Sequence, residues 1–316
     1  MKRILSLIST LVIVLFAAAP VPLAAQDEGN QDSGISRRTT RAPEPFKGFN
    51  SYEEFHGSVT SSETLLKLDS SLGYDFNQYA GVFVGVPLYF VHDSAPAAGE
   101  NLSGSAAGDV YFGVDLYAPT SVINYSTTFT VSAPTGSVSK GFSTGHRRLD
   151  WTNRLRRKIG RVAPFLAAGI SNTVPDSDLI TRTFTSLGNV IHLEEGAEYD
   201  LTRRVYAGTS AYHIVPFGTQ NVVNPLNGSQ PADRGPGNGN DGLGDGNAQA
   251  PSPAPFAASE DRIRENGVDL WLGFEPTRVV RVEAGYSRSL TFALNRFSFN
   301  VGLNVGRLFR ERTRPE

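Results

Sequence analysis

The chain has 316 residues, no cysteine and a formal net charge of −2, from 29 Lys and Arg against 31 Asp and Glu. Without cysteine it forms neither a disulfide framework nor a lipidated N-terminal cysteine, which excludes disulfide-stabilised secreted scaffolds and lipoproteins. The near-neutral charge lacks the basic excess typical of nucleic-acid-binding proteins, so we expect no nucleic acid among its partners.

Residues 1–25 have the pattern of a secretory signal peptide. Two basic residues precede an apolar run over 4–19, and small residues lead up to Ala25. We expect cleavage after Ala25, because the apolar run is short for a membrane anchor and is followed by a small-residue site. Residues 26–50 are polar and are predicted to form a disordered N-terminal segment.

Twelve strand-like runs follow in chain order: 52–60, 65–76, 79–91, 109–118, 124–133, 148–157, 161–172, 186–201, 205–217, 263–275, 279–290 and 296–309. In most of them apolar and polar residues alternate, which indicates strands with one apolar and one polar face. The last run, RFSFNVGLNVGRLF, is the clearest, since Phe297 and Phe299 alternate with Ser298 and Asn300. Two runs, 79–91 and 205–217, are apolar on both faces and give little directional information.

The connections alternate between short and long. Five are tight, at residues 77–78, 119–121, 158–160, 202–203 and 276–278, as in β-hairpins. Four are longer and more polar, at 92–108, 134–145, 173–185 and 218–262. Strict short–long alternation is typical of bacterial outer-membrane barrels, which have short periplasmic turns and longer extracellular loops.

The predicted fold class is therefore all-β, a single antiparallel transmembrane β-barrel of about 12 strands over residues 51–309. Residues 218–262 would form a long flexible extracellular loop, and 310–316 a periplasmic tail. The first run, 52–60, is the weakest, so 10 or 14 strands remain alternatives. A soluble β-sandwich or a lipocalin-like barrel is the alternative fold.

Aromatic residues gather towards the two ends of the predicted strands, as in the aromatic girdles at membrane interfaces. On the turn side they are Phe76, Tyr79, Tyr117, Tyr125, Tyr199, Tyr206, Phe274 and Phe309, and on the loop side Phe90, Phe129, Trp151, Tyr212, Tyr286 and Phe297.

The alternation also predicts which charged residues line the lumen. They are Lys67, Asp69, Asp109, Asp115, Arg148, Asp150, Arg154, Glu194, Glu198, Glu265, Asp269, Arg281 and Glu283, with Asp75 and His192 on the same face. Acids outnumber bases in this set. One interpretation is a wall of paired charges that braces the barrel; the other is a water-filled, mildly cation-preferring path. Tyr89, Tyr111 and Trp271 are inward candidates that would suit aromatic solutes.

Residues 129–150 read FTVSAPTGSVSKGFSTGHRRLD. In Pro134-Thr135-Gly136, Lys140-Gly141, Ser143-Thr144-Gly145 and Asp150, this segment resembles the outer-membrane family named for the meta-pathway of phenol degradation. The resemblance implies a barrel of about this size that passes small, often aromatic or hydrophobic, molecules. The tail after Phe309 and the length of the loop 218–262 depart from that pattern.

Catalysis is not expected. In His92-Asp93-Ser94, successive side chains of an extended segment diverge and cannot form a relay, and Ser210 and His213 face opposite sides of a strand. The Gly- and Asp-rich residues 237–247 hold one irregular copy of a calcium-binding pattern that needs stacked repeats. We therefore expect no catalytic residue, metal or cofactor.

The predicted function is a passive outer-membrane channel or transporter for small, in particular hydrophobic or aromatic, molecules. The alternative is a non-conducting barrel that serves as a surface anchor or adhesion protein through its loops. The expected partners are outer-membrane lipid, a small-molecule solute and the barrel-assembly machinery, and the expected location is the bacterial outer membrane.

Overall fold

The structure is a computed structural model that describes residues 48–60, 63–93, 104–120, 122–136, 142–174, 185–223, 256–258, 264–277 and 279–305. The predicted signal peptide, most of the segment 26–50, most of the loop 218–262, Phe309 and the tail 310–316 lie outside these residues. In the part of the chain that is described, no helix has the length and apolar character needed to cross a membrane.

The described residues form 14 strands, all in one sheet. They are β1 (Gly48–Val59), β2 (Glu63–Asn77), β3 (Ala80–Asp93), β4 (Gly104–Ala107), β5 (Tyr111–Ala118), β6 (Asn124–Ser132), β7 (Arg148–Arg156), β8 (Val162–Ser171), β9 (Thr185–Asp200), β10 (Val205–Val223), β11 (Phe256–Ala258), β12 (Glu265–Phe274), β13 (Val280–Ser289) and β14 (Asn295–Asn304).

The sheet closes on itself as an antiparallel barrel. Its first and last strands pair over eight residues, from Tyr52 opposite Asn304 to Val59 opposite Phe297. Strands β4 and β5 both pair with β3, and β11 and β12 both pair with β10, so the 14 strands occupy twelve positions around the ring. The predicted fold class is confirmed, and the weakest predicted strand is the one that closes the barrel.

Four of the five tight turns are closed in the same way, by a side-chain oxygen that accepts backbone N–H groups later in the turn. Asn77 Oδ1 and the Oγ1 atoms of Thr120, Thr202 and Thr277 each accept the backbone N–H groups two and three residues further on, at 2.7–3.3 Å. Asn and Thr favour turns because their side chains make these local bonds in place of the strand ladder. In the fifth turn, Gly160 adopts a φ of +60°, which glycine reaches without steric cost.

The loop end differs from the predicted strict alternation. Strands β13 and β14 are joined by only five residues, 290–294, and β1 and β2 by only three, 60–62. A tight hairpin can join antiparallel neighbours at either end of a sheet, so barrel closure does not require long loops. Strands β4 and β11 are short continuations that pair inside the predicted loops 92–108 and 218–262.

The outer face is apolar and exposed, with aromatic rings towards both ends. Exposed rings on the turn side are Phe49, Phe76, Tyr79, Tyr125, Tyr199 and Phe274, and on the loop side Phe90, Phe129, Trp151 and Phe297. The assignment of Tyr206 and Tyr212 to these girdles was wrong, because both are buried. Their rings lie on the inner face of the barrel, where the hydroxyl groups of Tyr206 and Tyr212 donate to Glu283 and Glu265, respectively.

Candidate functional site: the barrel interior

The thirteen residues predicted to line the lumen all lie on or beside strands, on the face that alternates with the exposed apolar one. Nine of them are buried: Lys67, Asp69, Asp109, Asp115, Glu198, Glu265, Asp269, Arg281 and Glu283. Arg148, Asp150, Arg154 and Glu194 are partly exposed. Their role in a solute path remains a prediction.

Ion pairs join these residues within a single strand or across one intervening strand. Lys67 lies 3.8 Å from Asp69, Arg148 3.3 Å from Asp109 and Arg154 3.9 Å from Glu194, and Arg281 contacts Glu283. Several acids also accept hydroxyl donors: Asp69 from Tyr111, Asp115 from Thr128, Glu265 from Tyr212 and Asp269 from Ser210. Pairing of this kind is what charges held away from water require.

Sequence reasoning missed several members of this network. Arg156 is buried with its Nη2 atom 3.0 Å from Glu198 Oε2, and the alternation of Arg154 with Leu155 was a signal that could have found it. Glu54 and His56, which lie 3.3 Å apart in β1, belong to the weakest predicted strand. No local pattern marked them, since their inward position depends on the pairing of β1 with β14.

Five inward aromatic rings each cover a glycine directly opposite in the neighbouring strand. The pairs are Tyr111 with Gly85, Phe83 with Gly113, Trp271 with Gly208, Tyr212 with Gly267 and Tyr206 with Gly273. A Cβ atom on any of these glycines would come within 2.0–2.3 Å of the ring or its hydroxyl. The rings therefore lie against the wall, and the glycines leave the space that this requires.

Part of the interior is filled by apolar side chains. Phe165, Val174, Val190, Tyr206, Tyr212, Ile214 and Trp271 form one buried cluster on the side of β8, β9, β10 and β12. The rings of Phe165 and Trp271 lie 6.3 Å apart, and the guanidinium of Arg154 lies 5.3 Å from the Phe165 ring.

Solvent reaches inward side chains on β6, on β7 and on the part of β9 that holds His192 and Glu194, and we call these side chains the accessible wall. On β6 the wall consists of Asn124, Ser126, Thr128 and Thr130, all partly exposed. On β7 and β9 the exposed side-chain fractions are 23% for Arg148, 26% for Asp150, 18% for Arg154, 16% for His192 and 27% for Glu194. By contrast, polar side chains that face inward on β12, β13 and β14, such as Asp269, Arg281 and Asn300, are buried.

The accessible wall is nearly neutral. Its arginines, Arg148 and Arg154, are matched by Asp150 and Glu194, whereas most of the acids counted from the sequence are buried. The acidic balance of the sequence therefore does not describe the charge that a solute in water would meet, and it gives poor support to a cation-preferring path.

Neither His192 nor His213 has the geometry of a catalytic relay. His192 Nε2 lies 3.1 Å from Asp150 Oδ2 and 3.4 Å from Thr152 Oγ1, so one ring nitrogen serves both contacts, whereas a relay uses both nitrogens. Ser210 is buried, while His213 contacts Asn266 on the other face at 2.9 Å. Ser94 lies outside the described residues. Within the described ranges, no three His, Asp or Glu side chains are grouped as metal ligands.

No known protein family's sequence profile matches the chain, and no curated protein matches it. Among solved structures, an outer-membrane channel from Pseudomonas putida F1 superimposes with a TM-score of 0.53 at 11% identity, over 83% of this chain and 97% of that one. The KdgM and NanC porins each give a TM-score of 0.44, at 7% and 9% identity, over 80% of this chain and 98% of theirs. At such low identity the likeness to the channel is one of architecture, and the chain has the fold of outer-membrane β-barrels.

Proposed function

We propose that this protein is a passive channel of the bacterial outer membrane, exported through a cleaved signal peptide, and that small solutes follow the accessible wall. The observation that carries the proposal is the partial exposure of inward side chains on β6, β7 and β9 within a closed barrel. Water that reaches these side chains provides a polar route past an otherwise buried interior.

The chemistry of the wall favours small, uncharged or weakly polar solutes. The hydroxyl and amide groups of β6 can replace part of a solute's hydration shell, and the balanced charges of β7 and β9 favour neither ion strongly. The resemblance to the phenol meta-pathway family supports aromatic molecules among the solutes. Lipid and the barrel-assembly machinery are the partners that this location implies.

Planar-bilayer recording on the folded protein tests the channel. We expect a small conductance with little preference between K⁺ and Cl⁻. Arg154→Ala should shift the permeability ratio towards K⁺, because it leaves Glu194 without the guanidinium that lies 3.9 Å away. Glu194→Gln should shift it towards Cl⁻.

The matched control is Arg288→Ala, which removes the same charge from an exposed arginine on the outer face of β13. It should leave the ratio unchanged. An unchanged ratio in Arg154→Ala would mean that ions do not pass the accessible wall, and a silent wild-type protein would refute the channel. Liposome swelling with phenol against charged solutes of similar size then tests the preference for aromatic molecules.

The second candidate is a non-conducting barrel that anchors its loops at the cell surface. The burial of nine of the thirteen predicted interior charges favours it, because a wide water-filled lumen would leave such side chains accessible. Absence of conductance from protein that is verified as folded would support this candidate.

A further inference from the structure

The connection between β6 and β7, residues 133–147, is anchored beside the start of β5 by its first described part, residues 133–136. Thr135 Oγ1 accepts the backbone N–H of Val110 at 2.8 Å, and the N–H of Gly136 donates to Asp109 Oδ1 at 3.0 Å. The fit is close, since a Cβ atom on Gly136 would lie 2.8 Å from the backbone of Gly108. Asp109 is fully buried.

The second described part of this connection enters the mouth of the barrel. The ring of Phe142 stacks on Tyr89, with centroids 5.7 Å apart and an interplanar angle of 16°. Tyr89 alternates along β3 with Leu88 and Phe90, which are exposed on the outer face, so its ring points inward. Ser143 and Thr144 follow Phe142 and are buried.

One carboxylate connects both ends of the connection. Asp109 accepts Gly136 N–H with Oδ1, and its Oδ2 lies 3.3 Å from Nε of Arg148 at the start of β7. Asp109 itself lies between β4 and β5, so it ties three segments together at the loop end. A buried carboxylate that loses such partners is strongly unfavourable.

We propose that the described parts of this connection, residues 133–136 and 142–147, form a built-in constriction at the loop end of the accessible wall, with Asp109 and Tyr89 as the positioning residues that hold these parts inside the bore. The proposal rests on the proposed channel function. It assigns a role to the Pro134-Thr135-Gly136 motif, whose hydroxyl and N–H groups make the contacts at Asp109 and Val110. The constriction sets the largest solute that can pass.

Two variants test the constriction by different routes. Asp109→Ala removes the carboxylate that holds both ends, and Phe142→Ala removes the aromatic stack without leaving a charge unpaired. Both should raise single-channel conductance and shift the size cut-off in liposome swelling upwards. Asp109→Asn keeps an acceptor for Gly136 and should lie between wild type and Asp109→Ala.

The control is Glu275→Gln, a buried carboxylate directly after the turn end of β12, six positions from β5 around the ring. It should keep the wild-type cut-off. A conducting wild type with an unchanged cut-off in Asp109→Ala and Phe142→Ala would overturn the constriction and leave the channel standing. A silent wild type opened by either variant would support a constriction that blocks the bore, whereas silence in all of them would refute both proposals. Heat-modifiable electrophoretic mobility confirms that each variant is folded.

Discussion

At the scale of single residues, the interior depends on glycines that make room for aromatic rings. Trp271 and Gly208 lie directly opposite each other on β12 and β10. The indole is buried and rigid, so the glycine must have no side chain for the ring to lie against the wall. The same relation recurs on β3 and β5, where Phe83 covers Gly113 and Tyr111 covers Gly85.

We expect Gly208→Ala to lower the free energy of unfolding by about 1–3 kcal/mol, the usual cost of overpacking. The added Cβ atom would lie 2.1 Å from Cε2 of Trp271, and a rigid buried ring cannot move away without loss of packing. Urea titration of the folded barrel in lipid vesicles measures the change. Gly104→Ala is the control, since no heavy atom lies within 4 Å of a Cβ atom there. Equal effects at the two glycines would contradict this account of the wall.

The direction of individual side chains followed from the sequence only where apolar and polar residues alternate. Asp269 and Glu283 were assigned to the polar face of their strands because Leu270 and Val282 are clearly apolar neighbours; the two acids are buried and the two apolar side chains are exposed on the outer face. Tyr206 and Tyr212 were misplaced because residues 205–217 are apolar on both faces. Their inward position is determined by glycines on β12 and by Glu283 and Glu265, contacts made across strands that a single run of sequence does not contain.

At the scale of strands and turns, the sequence predicts turns that close through local hydrogen bonds, but not strands that form only by pairing with a distant segment. The turns at Asn77, Thr120, Thr202 and Thr277 are closed within four residues, so the sequence was enough to place them. Strands β4 and β11 have four and three residues and form only as extensions opposite β3 and β10. Their existence depends on how far those partners extend beyond the mouth.

The weakness of β1 as a predicted strand has a physical cause in Glu53. This residue shares the outer face with Phe49, whose ring is 68% exposed and lies four residues nearer the turn end. Its neighbours there are Leu303 on β14 and Ser70 on β2, and the Ser70 hydroxyl donates to its carboxylate. An acid in that position interrupts the apolar pattern by which strands are recognised.

We expect Glu53→Leu to raise the free energy of unfolding by about 1 kcal/mol, because a charge on the lipid face destabilises a barrel and acids do so less than the 2–4 kcal/mol of Arg or Lys. Urea titration in lipid vesicles is again the measurement. Val301→Glu, which places an acid on the exposed outer face of β14, should have the opposite effect. A loss of stability in Glu53→Leu would indicate that Glu53 is covered by protein and not by lipid.

At the scale of the whole molecule, the twelve-position ring of described strands has no open edge, the short extensions β4 and β11 each have one partner, and the rim is uneven. At the loop end, the connections β13–β14 and β1–β2 are short, with five and three residues. The longer connections lie elsewhere around the ring. Closure is also the most non-local event in the fold, since β1 and β14 are separated by nearly the whole chain. Pairing of such distant segments is slow to form, which is consistent with assistance from the barrel-assembly machinery.

A disulfide across the closing seam tests the register of the barrel. Ser58 and Ser298 both face inward and lie directly opposite each other. Paired residues of antiparallel strands have Cα atoms about 4.5–5.5 Å apart, within the range of a disulfide. Because the chain has no cysteine, the double variant Ser58→Cys with Ser298→Cys has no competing thiol.

We expect this double variant to form its disulfide after folding and to keep the barrel closed in detergent at temperatures that unfold the reduced protein, because the bond cross-links the two ends of the sheet. Electrophoresis with and without reductant shows both effects. Ser58→Cys with Asn304→Cys is the mismatched pair, offset by six residues and hence by about 20 Å along the strand. Since the same first cysteine serves both pairs, efficient bonding in the mismatched pair and none in the matched pair would mean that β1 and β14 meet in another register, with every inward side chain of the seam reassigned.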